Sequence, residues 1–463
     1  MTTISQKRKR MMATEDQRSD RTAADQRDSA GGFIVTNNRV IRALFTNKNV
    51  QHAVNLITVF LFFYAIYRAA VGPADSGANF GNVAFFGLWW TPVMILSLVF
   101  LGRIWCYFCP MGAIVRFTQR FGLQRHFPMY TRNWVVFGLP ISVLSLTALS
   151  FVLARWPMYK VGVAYSPRLI PVYWLAILGV AVGVSLVYQR QAFCRYVCPA
   201  TGVMSVTSKF SPLEISQNSD TGVQCATLEY KSDFLSTDRR CTACMKCTTE
   251  RPEKDVELRF RWPGAKVLTE RIPLVDEALV ALVLWAVFPI DHVLGSAVEE
   301  TTLVGNLPGV LAPTTAYLVS ITATILAFTA VNRLASSWSG IDWTTSFTKF
   351  GLAYAPLGIM FTLGSHAIGG LLESGGQTLN VFARGLGIPL DLPAGASPAI
   401  VSAWNEFFVT GWLWLAVLWS ALIAWQVARV MTDSKKRAVK AVVPHVALMA
   451  SSTYVVATVL STH

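Results

Sequence analysis

The segments GRIWCYFCPMG (102–112) and FCRYVCPATG (193–202) each follow a long apolar run and end in a Cys-Pro turn. The run before the first segment covers about residues 84–102, and the run before the second covers about 169–188. A helix of about 20 apolar residues is long enough to cross a bilayer. The two segments therefore predict a weakly repeated unit, a membrane helix that runs into a Cys-Pro turn. Duplication of this unit would place the two turns side by side at one membrane surface.

Apolar runs of this length recur along the whole chain. Hydrophobic residues make up 53% and charged residues 14% of its 463 residues, whereas charged residues are about a quarter of a soluble domain. This composition indicates a membrane protein rather than a large soluble protein with buried helices. We predict nine membrane spans, at about residues 50–70, 84–102, 134–154, 169–188, 276–296, 309–332, 349–372, 399–428 and 441–460.

Basic residues predict the orientation of these spans. Residues 1–48 are polar and basic without an apolar core, which indicates a disordered cytoplasmic tail rather than a signal peptide or a nucleic-acid arm. Loops rich in Lys and Arg stay in the cytoplasm, so we expect the cysteine motifs inside and the C-terminus outside. Of the 40 Lys and Arg residues, those predicted to lie outside are only Arg68, Arg155, Lys160, Arg168 and Arg384.

The segment CTACMKCTTERP (241–252) has the Cys-x2-Cys-x2-Cys spacing of a ferredoxin turn. In bacterial ferredoxins a further Cys follows after three residues and precedes a proline, but Arg251 takes that place here, before Pro252. The cytoplasm is reducing, which favours metal ligation over disulfides. A four-thiolate zinc site is the alternative, although such sites usually pair two Cys-x2-Cys knuckles. We therefore predict one [4Fe–4S] cluster, held by Cys225, Cys241, Cys244 and Cys247.

The Cys-Pro turns carry four more cysteines, whose role the sequence leaves open. If the turns meet, Cys106 and Cys109 form a second four-thiolate site with Cys194 and Cys198, which suits a second cluster. The same thiols also suit Cu(I) or a reversible disulfide, or they are small buried residues that pack at helix ends. Basic residues at positions 103 and 195 lie beside the thiols and would favour thiolate over thiol.

Together, the three motifs make residues 85–255 resemble the membrane-bound polyferredoxins of the NosR/NapH type, including the methylamine-utilisation relative MauN. The resemblance implies electron transfer linked to quinol or to maturation, in support of a periplasmic redox enzyme. Two departures bear on this expectation. The first Cys-Pro turn is one residue shorter than the usual Cys-x3-Cys-Pro, and the chain has one incomplete ferredoxin run where relatives often have two.

Polar residues inside the C-terminal spans are costly in a membrane and often functional. His292 lies 16 residues into span five and His366 lies 17 residues into span seven, so both lie about 25 Å along their helices. Asp291 and Glu406 lie near the same level. A quinol pocket at these four residues is one interpretation, and hydrogen bonding within the bundle is the simpler one. A b-type haem held by the two histidines is a third interpretation, which we favour less than the other two.

We therefore expect an all-α polytopic protein of the bacterial inner membrane, with about nine transmembrane helices and a small ferredoxin-like cytoplasmic iron–sulfur loop. The expected function is electron exchange between the quinone pool, or a cytoplasmic donor, and a periplasmic or membrane redox enzyme. The protein would then be an electron-transfer component rather than a stand-alone catalyst. An accessory role in maturation of, or metal delivery to, a periplasmic enzyme is the alternative, and a transporter is the third class. The expected regions are a tail (1–48), a four-helix membrane region (49–188), a cytoplasmic loop (189–275) and a five-helix membrane region (276–463).

Overall fold

The computed structural model describes residues 33–35, 38–127, 134–136, 139–141, 145–217, 241–245, 256–269 and 274–462. Within these ranges eight helices are long and apolar enough to cross a membrane. This finding confirms the predicted all-α polytopic class. The eight helices are Lys48–Val71, Phe80–Phe100, Leu169–Val187, Val275–Glu299, Leu311–Ser339, Trp343–Gly385, Pro398–Met431 and Lys435–Ser461.

The third predicted span, 134–154, is the one that differs. Its first part contains two short strands, Trp134–Val136 and Leu139–Ile141, which pair antiparallel. The helix that follows, Ser145–Tyr159, has 15 residues, a length of about 22 Å at 1.5 Å per residue. The β-branched pair Val135–Val136 and the proline at 140 disfavour a helix here, a local signal that apolarity alone does not report.

Shorter elements connect the long helices. A three-stranded antiparallel sheet, with the last strand in the middle, is formed by Phe33–Ile34, Leu213–Gln217 and Val256–Phe260. The short helices are Arg39–Thr46, Trp105–Phe108, Pro110–Thr118, Pro199–Phe210, Ala265–Thr269 and Thr302–Gly305.

The helix Val275–Glu299 forms the centre of the bundle. In its apolar stretch 72% of the residues are buried, a larger share than in any other candidate span of the described chain. Its first part packs against Trp343–Ala353, Ser145–Tyr159 and Pro199–Phe210. Every residue from Thr201 to Phe210 is buried. The helix that begins at the second Cys-Pro turn is therefore part of the bundle core, although the sequence places it in a polar loop.

Several membrane helices contain π-helical stretches, in which each turn holds an extra residue. Such stretches are rare and often occur at functional sites. In the described residues they cover Val83–Met94, Phe193–Val197, Ala286–Gly295, Thr362–Gly369 and Phe408–Trp412. The first four each contribute side chains to one cavity, which lies beside the Cys-Pro turns.

Candidate functional site

Each Cys-Pro turn forms the start of a short helix. Cys109 and Cys198 are the N-cap residues of Pro110–Thr118 and Pro199–Phe210, and each has extended backbone angles (φ −70°, ψ 121° and φ −59°, ψ 125°). Proline suits the first helical position because its missing N–H would have no partner there. The thiol of Cys109 accepts hydrogen bonds from the N–H groups of Met111 and Gly112. Both cysteines thus lie where a helix N-terminus stabilises negative charge.

The first Cys-Pro turn packs directly against the helix of the second. Gly102 leaves the membrane helix with a left-handed φ of 55°, and a methyl group there would lie 3.1 Å from Cβ of Ser211. The next residue is Arg103, whose Nη2 donates to the carbonyl oxygen of Thr201 at 3.4 Å. The Sγ of Cys106 lies 3.4 Å from the Sδ of Met204. These contacts confirm that the two turns lie side by side.

The four thiols of the turns are close enough to influence one another's ionisation. Burial raises the pKa of Cys106 to about 11, although the nearby Arg103 guanidinium opposes this shift. Burial and the neighbouring Cys109 raise the pKa of Cys198 to about 12. The pKa of Cys194 is raised well above its usual value by burial and then by the other three thiols. Without bound metal the four groups are therefore neutral thiols at physiological pH.

Arg116, which is half-buried, makes this site suitable for an anionic group. Both terminal nitrogens of Arg116 are buried and have no hydrogen-bond partner among the described residues. The guanidinium acts electrostatically on Cys106, Cys109 and Cys194. A methyl group at Gly112 would lie 3.4 Å from Nη1 of Arg116 and 3.8 Å from Cβ of Cys109. An unpaired buried cation is costly, so its position beside four thiols favours a bound group with net negative charge.

Four thiols at two adjoining turns match the ligand set of a multi-iron cluster. Two thiolates on one zinc are about 3.8 Å apart, given Zn–S bonds of about 2.3 Å in a tetrahedron. In the described part of the chain, no group of three or more His, Cys, Asp or Glu side chains is arranged to hold one metal ion. A cubane cluster binds each thiolate through a different iron, so its ligands lie farther apart. The four cysteines of the two turns would hold such a cluster.

The described part of the ferredoxin-like run, 241–245, lies against the first Cys-Pro turn. Ala243 and Met245 are buried in one cluster with Tyr107, and Cys106 packs against this cluster. Both residues have left-handed φ values, 44° and 54°, which are uncommon outside glycine. The N–H of Ala243 donates to Sγ of Cys241 at 3.4 Å. Backbone N–H groups that turn inward in this way are typical of anion and iron–sulfur sites. The predicted ligands at positions 225 and 247 lie outside the described residues.

A cavity of about 140 Å³ extends from the two Cys-Pro turns into the membrane bundle. Cys109 and Cys198 form part of its wall, and Arg155 is the charged residue that lines it. The other walls are mostly apolar and aromatic, including Trp89 and Trp174. A dry apolar cavity of about 150 Å³ is sufficient to bind a benzene-sized molecule. The cavity therefore fits a small apolar ring.

The four polar residues predicted for a quinol pocket do not form one cluster. His366 packs edge-on against Phe288, with ring centroids 5.6 Å apart, and Phe288 also lines the cavity. Asp291 is buried one helical turn beyond Phe288. The side chains of His292 and Glu406 are exposed on the outside of the helical bundle. His366 and Asp291 therefore lie near the cavity, whereas the exposed His292 interacts electrostatically with His366 and Glu406 is exposed on a different helix.

Comparison with known families supports the iron–sulfur interpretation. The model of a 4Fe-4S binding domain matches the chain twice, at residues 83–128 and 170–214. These two matches correspond to the predicted repeat, and each contains one membrane helix and one Cys-Pro turn. No curated protein matches the chain, and no solved structure matches it. The matches support an iron–sulfur membrane protein with an electron-transfer role.

Sequence reasoning missed two arginines of the site. Arg116 lies seven residues after Cys109, which is two helical turns and therefore the same helix face. That spacing could have indicated its role. Charge counting predicts only that Arg155 lies on the outer side of the membrane, whereas the structure shows that it is 8% exposed and lines the cavity. No local pattern in the sequence indicates that it faces inward.

Proposed function

We propose that the protein transfers electrons between a lipid-soluble quinone and a partner redox enzyme, using iron–sulfur clusters at its cysteine motifs. The observation that carries the proposal is the apolar cavity whose wall includes Cys109 and Cys198. A ring bound in this cavity would contact the side chains that hold the cluster. A bound cluster would supply a carrier for single electrons. Binding the ring and excluding water would be the tasks of the chain itself.

The chemistry of the cavity favours a quinone over a polar substrate. Ligand pockets are mostly apolar, with a few polar groups that orient the ligand. The aromatic side chains of Trp89, Trp90 and Trp174 suit a flat ring, and Arg155 suits a ring oxygen at one end. The cavity lies between membrane helices, so an isoprenoid tail can extend into lipid.

The ferredoxin-like run provides the next site in the path. Ala243 and Met245 are packed on Tyr107, and Cys106 belongs to the first turn. A cluster held by Cys241 and Cys244 would therefore be next to the site at the turns. This position suits electron exchange with a partner enzyme beyond the membrane surface that carries the cysteines. The distribution of Lys and Arg supports a cytoplasmic location for that surface, in a bacterial inner membrane.

The test is reduction of the protein by a quinol in the absence of other proteins. Anaerobically purified, oxidised protein is mixed with decyl-benzoquinol, and bleaching of the iron–sulfur absorbance is followed by stopped flow. Ala154 lines the cavity, so Ala154→Phe is expected to fill it and abolish rapid bleaching while iron content is unchanged. The matched control is Leu153→Phe, since Leu153 is 60% exposed on the same helix. Equal rates in both variants, or no bleaching in wild type, would contradict the proposal.

The alternative of maturation or metal delivery predicts a different outcome. In that case quinol leaves the protein unchanged, whereas Cys106→Ser or Cys198→Ser blocks maturation of a metal enzyme outside the membrane. A cluster with net negative charge accounts for the two terminal nitrogens of Arg116, which have no hydrogen-bond partner among the described residues. Electron transfer is therefore the function that we favour.

A further inference from the structure

The cavity is lined by Arg155, which lies against Val287 and Phe288, about halfway along the central helix Val275–Glu299. Arg155 donates from Nε and Nη2 to the carbonyl of Val287, at 3.2 and 2.6 Å. Its guanidinium lies 4.2 Å from the ring centre of Tyr159 and 4.4 Å from that of Phe288. Nη1 is buried and has no hydrogen-bond partner among the described residues. This nitrogen is available to an oxygen atom of a ligand in the cavity.

A chain of charged groups connects Arg155 to the protein surface. Asp291 interacts electrostatically with Arg155, and its Oδ2 is 3.3 Å from Nζ of Lys160. The same Nζ is 3.3 Å from Oε1 of Glu299, whose side chain is 38% exposed. The three groups beyond Arg155 thus form a continuous line from a buried carboxylate to an exposed one.

The inner carboxylate has a free oxygen and space beside it. Asp291 is 9% exposed, and its Oδ1 is buried without a hydrogen-bond partner in the described part of the chain. A methyl group at Gly295 would lie 2.7 Å from this oxygen, so glycine keeps the space open. An unpaired buried carboxylate oxygen is costly unless it serves a purpose.

We propose that Arg155, Asp291, Lys160 and Glu299 form a proton exit from the cavity to the membrane face opposite the cysteines. The inference rests on the proposed quinol function. Oxidation of one quinol breaks two O–H bonds and yields a quinone, two electrons and two protons. The electrons leave singly towards the iron–sulfur sites at the cysteine end, and the partner enzyme is their final acceptor. Each proton passes first to Asp291. The Lys160 ammonium, 3.3 Å from both carboxylates, then gives a proton to Glu299 and takes one from Asp291, and Glu299 releases its proton to water.

The remaining groups in this line have supporting roles. Arg155 holds the ring oxygen and stabilises the Asp291 carboxylate, whereas the Lys160 ammonium neutralises the two carboxylates between which it lies. Other titratable groups near the route are Tyr159, Tyr317, His292 and His366. Because electrons and protons leave at opposite ends, each turnover would separate charge across the membrane.

The test uses full-length protein with three carboxylate variants. Asp291→Asn is expected to slow bleaching by decyl-benzoquinol about a hundredfold, as for loss of a proton-accepting group. Glu299→Gln, at a partly exposed position, is expected to slow it less. Glu300→Gln is the matched control, since Glu300 is exposed beside Glu299, and it should leave the rate unchanged. In liposomes with the cysteine face outside, a lumenal dye should report about one proton per electron for wild type.

Quinone binding is measured in parallel by quenching of tryptophan fluorescence, which does not require loaded iron–sulfur sites. Wild type and Asp291→Asn should bind decyl-benzoquinone with affinities within about twofold of each other, because the substitution removes a proton acceptor rather than the ring contacts. If wild type binds no quinone, the proposed function fails. A second outcome is that wild type binds quinone and is reduced by quinol. If Asp291→Asn and Glu299→Gln then react at the wild-type rate, or if protons appear on the cysteine face, the proton exit alone is overturned.

Discussion

The ion pair Lys209–Glu277 allows a quantitative test of how the second Cys-Pro turn is held in the bundle. Lys209 lies on the helix that begins at Cys198, and Glu277 lies at the start of the central helix Val275–Glu299. The Nζ–Oε2 distance is 3.2 Å, and each side chain is 1% exposed. We expect Lys209→Met or Glu277→Leu alone to destabilise the protein strongly, and the double variant to be close to wild type.

The magnitude follows from burial and distance. At 3.2 Å, an effective dielectric constant of about 20 corresponds to an attraction of about 5 kcal/mol. Removing one partner of a buried ion pair costs about 3–5 kcal/mol, whereas replacing both with apolar residues is often neutral or stabilising. The exposed pair Arg384–Asp391, with side chains 63% and 95% exposed, is the control. Asp391→Asn should cost less than about 1 kcal/mol.

The assay is equilibrium unfolding of the purified protein in mixed detergent micelles, followed by tryptophan fluorescence, with iron content measured on the same samples. A double-mutant cycle gives the coupling energy between the two side chains. Both single variants should also lose iron from the Cys-Pro site, because the helix that carries Cys198 is no longer held in place. Single variants within about 1 kcal/mol of wild type, or a double variant as unstable as the sum of both, would refute this reasoning.

Two further predictions concern the metal sites. Anaerobically purified wild-type protein should contain about eight irons and eight sulfides, and Cys225→Ala should lower both numbers to about four. Stoichiometric zinc without sulfide would exclude clusters. An unchanged iron content in Cys225→Ala would place the fourth ligand elsewhere. Arg116→Gln should lower iron retention at the Cys-Pro turns, because a buried positive charge stabilises an anionic cluster. The exposed Arg120 provides the matched Arg120→Gln control, and equal iron loss in both variants would argue against a specific role for Arg116.

Local sequence patterns determined much of the architecture. Runs of apolar residues predicted the eight long helices because a span needs only sufficient length and few charges. The Cys-Pro steps determined where two helices begin, since proline suits the first helical position. The repeated motif also predicted that the turns at Cys109 and Cys198 lie side by side. These features depend on neighbouring residues along the chain, which is why they are readable from sequence.

Tertiary structure alone decided which side chains meet. Apolarity predicts that a helix is buried, but it does not specify the helix against which it packs. The approach of Arg155 to Phe288 and Asp291 depends on how two separate helices cross. By contrast, His292 and Glu406 share the predicted depth but face outward, because depth along a helix does not determine the side on which a residue lies. The cavity beside the cysteines exists only once the two repeats and the central helix pack together, and no single segment of the sequence encodes it.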